Sequence, residues 1–174
     1  LYILGAWMGR EARRIVTQIE RFGLEDEVHH LAGMPNRLVA PLYAGATALL
    51  YPSLMEGFGL PLLEAMRCET AVITSDRSSM PEVCGDAALY VNPEDTCSLT
   101  DRMHLLAANS ALREDLIARG RVRSALFSWE RTAAATLTAY ARFTGLGAIA
   151  GPREQSLRLM REETDAATTH LTAV

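Results

Sequence analysis

The sequence predicts an α/β fold, a parallel sheet with helices on both faces followed by further helices, and two observations carry that expectation. Short apolar runs alternate with amphipathic helical stretches from Leu1 to Val91, and past Asn92-Pro93 only helical patterning remains. Repeated strand and helix in this order favours parallel strands buried on both faces. The length of 174 residues suits one domain. Burying roughly 70% of the unfolded surface of such a chain supports a sizeable core without a disulfide or metal staple.

Leu1-Tyr-Ile-Leu-Gly5 is a short apolar run ending in glycine, and Ala12, Ile15, Val16, Ile19 and Phe22 then recur at helical spacing. Val28 to Ala32 reads as the second strand, Leu38, Leu42 and Tyr43 as a short helix, and Ala46 to Tyr51 as a third, buried strand. Leu60 to Arg67 is expected to be helical, Ala71 to Ser75 a strand, Ser79 to Cys84 a short helix, and Ala88 to Val91 the last strand. Asp95 can cap a helix carrying Leu99, Met103 and Leu106, and Ser110 one that runs towards Gly120. Ser128 caps a third, in which Trp129, Ala133, Leu137 and Tyr140 share a face suited to docking on a core. Gly145-Leu-Gly147 and Gly151-Pro152 then interrupt the pattern. The domain is therefore expected over residues 1–144, with 145–174 a weakly packed tail with room for one helix.

Composition narrows the function. The chain is 49% apolar and 22% charged, with a net charge of −4, which argues against a nucleic-acid binder. All 17 basic residues are arginine, read as compositional bias. Cys68, Cys84 and Cys97 are odd in number and lack metal-ligand spacing, so a reducing compartment, the cytoplasm, is expected. His29-His30 falls in a strand, which turns one ring inward and one outward and suits packing better than a ligand pair. No stretch reaches about 18 uninterrupted apolar residues, and no signal peptide opens the sequence.

Ligands of open parallel sheets bind beyond the carboxyl ends of the strands. Three such ends are Gly33-Met34-Pro35, Ser53 through Leu60, and Ser75 through Ser79. The middle one reads Glu56-Gly-Phe-Gly-Leu-Pro-Leu-Leu-Glu64. Pro61 is preorganised for the first position of a helix, so the backbone N–H groups of Gly57, Phe58, Gly59 and Leu60 surround a helix N-terminus, an anion-binding arrangement. Glu64 lies about one turn into that helix and leans back towards the same cleft as Glu56. A bare phosphate at roughly 7 Å from either acid would be opposed by about 2 kcal/mol at an effective dielectric near 20. A ligand with hydroxyls on either side of its phosphates fits better, since each carboxylate–hydroxyl hydrogen bond contributes about 1.5–3 kcal/mol. A nucleotide sugar has that layout. Taken singly, Glu64 could equally complement the helix dipole, and Glu56 could be a solvated loop acid.

Tyr51-Pro-Ser-Leu-Met-Glu-Gly-Phe-Gly-Leu-Pro-Leu-Leu-Glu-Ala-Met66, with Ser78-Ser-Met-Pro-Glu-Val83, Gly85-Asp-Ala-Ala88 and Phe127-Ser-Trp-Glu130, closely resembles the C-terminal donor-binding domain of family 4 glycosyltransferases. These are retaining enzymes of the GT-B fold. The resemblance runs from Leu1 to about Tyr140, and the paired acids around GFG are its most specific part. It implies a Rossmann-like domain that lacks its first strand and helix here, together with the loop that supplies an Arg and a Lys for the diphosphate. It also implies a separate N-terminal acceptor domain. By resemblance Glu56 contacts donor-sugar hydroxyls and is the candidate catalytic residue. Gly57, Phe58, Gly59 and Leu60 hold sugar and diphosphate, Glu64 binds ribose, and Gly33 and Met34 meet the base.

The resemblance implies no cofactor and no metal. The donor is a nucleotide-diphosphate sugar such as GDP-mannose or UDP-glucose, and the full-length enzyme is a hexosyltransferase acting on a hydroxyl acceptor, with peripheral membrane association left open. This chain alone is expected not to transfer sugar. One departure is Cys68-Glu-Thr-Ala71, where the family usually has glycine; a Glu in a left-handed helix C-cap would cost about 1 kcal/mol. Arg77 is the local candidate for a cation beside the diphosphate, against its simpler reading as a solvated loop residue. The alternatives are a non-catalytic nucleotide-sugar-binding module, a GT-B sugar-nucleotide epimerase, and a domain for some other phosphate ligand.

Overall fold

The computed structural model describes residues 1–6 and 9–144. The expected tail at 145–174 lies outside the described residues. In chain order the elements are β1 (Tyr2–Leu4), α1 (Gly9–Phe22), β2 (His29–Leu31), α2 (Asn36–Gly45), β3 (Ala48–Tyr51), α3 (Leu60–Arg67), β4 (Ala71–Ser75), α4 (Met80–Cys84), β5 (Leu89–Val91), α5 (Thr96–Ala108), α6 (Ser110–Ala125) and α7 (Trp129–Thr144). The α/β alternation, the parallel strands with helices on both sides and the helical C-terminal part agree with the expectation. Two compact units result, Leu1–Ser124 and one that begins at Ala125.

The strands form two parallel sheets rather than one. β1 pairs with β2, with Tyr2 opposite His29, while β3, β4 and β5 form a second sheet in which Ala48 faces Ala71 and Ile73 faces Leu89. β4 is the centre of the second sheet, and all five of its residues are buried. That suits the apolar Ala71-Val72-Ile73, since a strand covered on both faces has no side turned to water, while the buried Thr74 and Ser75 hydroxyls are bonded to the Tyr51 and Ser53 carbonyls. Leu62, Ala65 and Met66 of α3, Met80 and Val83 of α4, and Leu106 and Leu116 from α5 and α6 complete the core. The β1–β2 sheet is different: Leu1, Tyr2 and Leu4 are exposed. The histidine pair is structural, His29 stacking on Tyr2 and His30 Nε2 bonding the Gly5 carbonyl at 2.6 Å.

Caps decide several boundaries. The Asp95 carboxylate accepts from the N–H groups of Cys97 and Ser98, and Ser128 Oγ accepts from Arg131 N, as expected. For α6 the cap is Asn109, whose Oδ1 accepts from Leu112 N, and the helix runs past Gly120 to Ala125. Gly120 is there for close packing, because a Cβ at that position would lie 3.1 Å from Met66 Cγ. In α7, Trp129 is 75% and Tyr140 63% exposed. No described helix is long and apolar enough to cross a membrane.

Candidate functional site

The segment from β3 to α3 carries the two acids, and the structure fixes it from below by a row of hydroxyl groups. Buried Thr74 donates to the Tyr51 carbonyl at 2.9 Å, and buried Ser75 donates to the Ser53 carbonyl at 2.6 Å. Thr70, just before β4, donates instead to the Tyr43 carbonyl of α2 at 2.6 Å. Beyond β4 the row continues with two serines. Ser78 Oγ donates to the Glu56 carbonyl at 2.8 Å and accepts from Glu56 N at 3.3 Å. Ser79 Oγ reaches the carbonyls of Glu56 and Phe58 at 3.1 and 2.9 Å. With these carbonyls held towards the serines, the turn has one orientation rather than several.

Gly59 is the N-cap of α3 at φ 97° and ψ 49°, a left-handed conformation. The left-handed backbone favours glycine, and a Cβ there would also come within 2.9 Å of Leu62 Cδ1, so that side chain would have to shift. Pro61 stands at the helix start, as the sequence predicts. A Cβ built on Gly57 meets nothing within 4 Å, so the chain there is open to close approach.

Both acids are met by a phenol. Tyr51, the last residue of β3, donates its hydroxyl to Glu56 Oε1 at 2.8 Å. Burial raises the Tyr51 pKa, with the hydrogen bond to Glu56 and its charge adding to the rise and a bond with Ser53 opposing it. Tyr43, near the end of α2, stands 3.5 Å from Glu64 Oε2, a long contact. Its pKa is pushed up to about 12, first by burial and then by the Glu64 carboxylate. Glu56 is half-buried and Glu64 exposed on α3, which packs against α2 and β4.

The structure thus brings together Glu56, the turn from Gly57 to Leu60, and Ser78 with Ser79, and it sets Glu64 on the helix that this turn begins. Gly33 and Met34 lie apart in the chain, at the carboxyl end of β2, with Gly33 at φ 62°. Arg77 is engaged elsewhere: its guanidinium donates to Asn92 Oδ1 at 3.0 Å and to Glu94 Oε2 at 2.8 Å. Sequence reasoning missed Tyr51 as a partner of Glu56. The available signal was a tyrosine closing a strand five residues before the acid. Among the described residues no group of three or more His, Cys, Asp or Glu is arranged to hold a metal ion.

Residues 1–123 match the model of a family described as glycosyl transferases group 1. The chain is 37% identical over 138 residues to the O-antigen chain mannosyltransferase B of Escherichia coli, covering 79% of this chain and 36% of that protein. It is 36% identical over 126 residues to the MMP alpha-(1->4)-mannosyltransferase of Mycolicibacterium hassiacum, covering 70% of this chain and 31% of the relative. Its fold superposes on sucrose-phosphate synthase from Thermosynechococcus elongatus with a TM-score of 0.74 at 29% identity, over 83% of this chain and 38% of that one. The chain therefore spans about a third of the length of these relatives.

Proposed function

Because the chain belongs to the group 1 glycosyl transferases, we propose that it is the donor-binding half of a retaining hexosyltransferase, which moves a sugar from a nucleotide diphosphate to a hydroxyl acceptor. The observation that carries this is the pair of acids flanking a glycine-capped helix start whose turn is stapled by Ser78 and Ser79. Glu56 accepts hydrogen bonds from the donor-sugar hydroxyls, and Glu64 accepts those of the ribose. The backbone from Gly57 to Leu60, at the positive end of α3, faces the diphosphate and stabilises the charge that builds on it as the glycosidic bond breaks. An oxocarbenium-like sugar then develops beside Glu56, where a carboxylate offsets its positive charge. Gly33 and Met34 would meet the base. Mannosyltransferases among the relatives favour a hexose donor such as a nucleotide-linked mannose.

The diphosphate also needs cations, and Arg77 is held by Glu94. We assign them to a preceding strand-and-helix unit. Among the described residues β1 pairs with β2 alone and β3 with β4 alone, so each leaves an edge there that a further parallel strand could take. The acceptor site belongs to a separate domain on this reading.

Titration of GDP-mannose, UDP-glucose and the free diphosphates against the full-length protein and its Glu56→Gln and Glu64→Gln variants tests the assignment. Loss of one charge-assisted hydrogen bond, about 1.5–3 kcal/mol, corresponds to a roughly 10- to 100-fold weaker affinity. Glu56→Gln should lose that much for the sugar conjugate alone, and Glu64→Gln for conjugate and diphosphate alike. Equal affinities for all three proteins would refute both roles.

A further inference from the structure

We propose that Tyr51 is a positioning residue for Glu56, setting the direction of its carboxylate so that specificity for the sugar end of the donor depends on this phenol. The inference rests on the donor-site reading above and deepens it.

Glu56 has a fixed main chain, held by Ser78 at both its N–H and its carbonyl and by Ser79 at the carbonyl. Its side chain still has three rotatable bonds, and backbone anchoring does not choose among their rotamers. Tyr51 makes that choice. Its own main chain is held by the β3–β4 ladder, where it stands opposite Thr74, and by the Thr74 hydroxyl on its carbonyl. From this anchor the phenol reaches Glu56 Oε1 at 2.8 Å, the ordinary length of a good O–H···O bond.

The bond occupies one lone pair of Oε1 and leaves Oε2 and the remaining lone pairs for sugar hydroxyls. Burial and the neighbouring carboxylate both favour the protonated phenol, so the donor is present throughout the neutral range. A carboxylate already aimed at its ligand avoids part of the ordering cost of binding. Phenylalanine would fill the same volume as Tyr51 without the hydroxyl. Tyr43 offers a contrast: its 3.5 Å approach to Glu64 is too long to fix that side chain in the same way.

A double-mutant cycle in the full-length protein tests this, using Tyr51→Phe, Glu56→Gln and the double variant, with binding of GDP-mannose against GDP and UDP-glucose against UDP as the readout. Tyr51→Phe should bind the free diphosphate within two-fold of the wild type, which also reports correct folding, and bind the sugar conjugate about ten-fold more weakly. In the Glu56→Gln background the same change should cost less than two-fold, because the residue acts through the acid. Three results would overturn the inference while leaving the donor site intact: conjugate binding unaffected by Tyr51→Phe, an equal loss in both backgrounds, or an equal loss for conjugate and diphosphate. If Glu56→Gln itself leaves conjugate binding unchanged, or the wild type binds neither conjugate, the donor-site reading and the inference both fall.

Discussion

Glu69 occupies a position that favours glycine. It follows the last turn of α3 with φ 59°, and the bonds from Thr70 N to the Ala65 carbonyl and from Glu69 N to the Met66 carbonyl form a Schellman cap around it. The left-handed C-cap expected from Cys68-Glu-Thr is therefore present. Its Oε1 approaches Arg121 Nε at 3.5 Å, but both side chains are more than half exposed, so that ion pair contributes little. Glu69→Gly should raise stability by about 0.5–1 kcal/mol, measured as a higher urea midpoint. Donor binding should be unchanged, because the cap is at the end of α3 remote from Gly59. Other residue-scale features were equally legible: a helix start at Pro61 follows from proline chemistry, and the paired acids from their spacing around glycines. Tyr51 was not, because a tyrosine ending a strand reads as core until its hydroxyl is seen on Glu56 Oε1.

Among the elements, α6 departs most from its expected length. Glycine near the end of a periodic run signals a helix stop, yet Gly120 is buried within α6 against Met66 of α3. The local cost of a helical glycine, about 1 kcal/mol relative to alanine, is offset by the close approach it permits. Gly120→Val should therefore destabilise by about 1–3 kcal/mol through overpacking, read as a lower urea midpoint with an unchanged slope. α4 shows the same dependence on distant residues, with the Arg123 guanidinium of α6 donating to the carbonyls of Glu82 and Val83. The hydroxyl row of Thr74, Ser75, Ser78 and Ser79 was also invisible as a unit. Its members looked like ordinary strand and loop residues, and only β3–β4 pairing places them beneath the carbonyls of the acid-bearing segment.

At the scale of the described molecule, one buried thiol and two half-buried phenols are held neutral, and this makes stability depend on alkaline pH. Burial pushes the Cys84 thiol up to about 12, and the phenols of Tyr43 and Tyr90 to about 12 as well. Their ordinary values are 9.0 for the thiol and 10.0 for the phenols. Between the two ranges the unfolded chain releases protons that the folded one retains, so the folded state binds more protons and stability falls as pH rises. The contribution is fully present below pH 9 and is lost progressively up to about 12. Urea midpoints measured across this window should decline steadily; a level profile would contradict the protonated burial of these groups.

The sequence by itself determined the strand–helix alternation, most caps, the left-handed Glu69, the composition of the candidate site and its family. These depend on contacts within a few residues, or on a motif whose spacing is the signal. Tertiary structure alone decided the division into two sheets, the passage of α6 beyond Gly120, the engagement of Arg77 with Glu94, and the hydroxyls and phenol that hold Glu56. The physical reason is range. Periodicity and turn chemistry act along the chain, whereas partners such as Glu56 and Ser78, 22 residues apart, meet only after parallel strands have brought their ends to the same edge of the sheet.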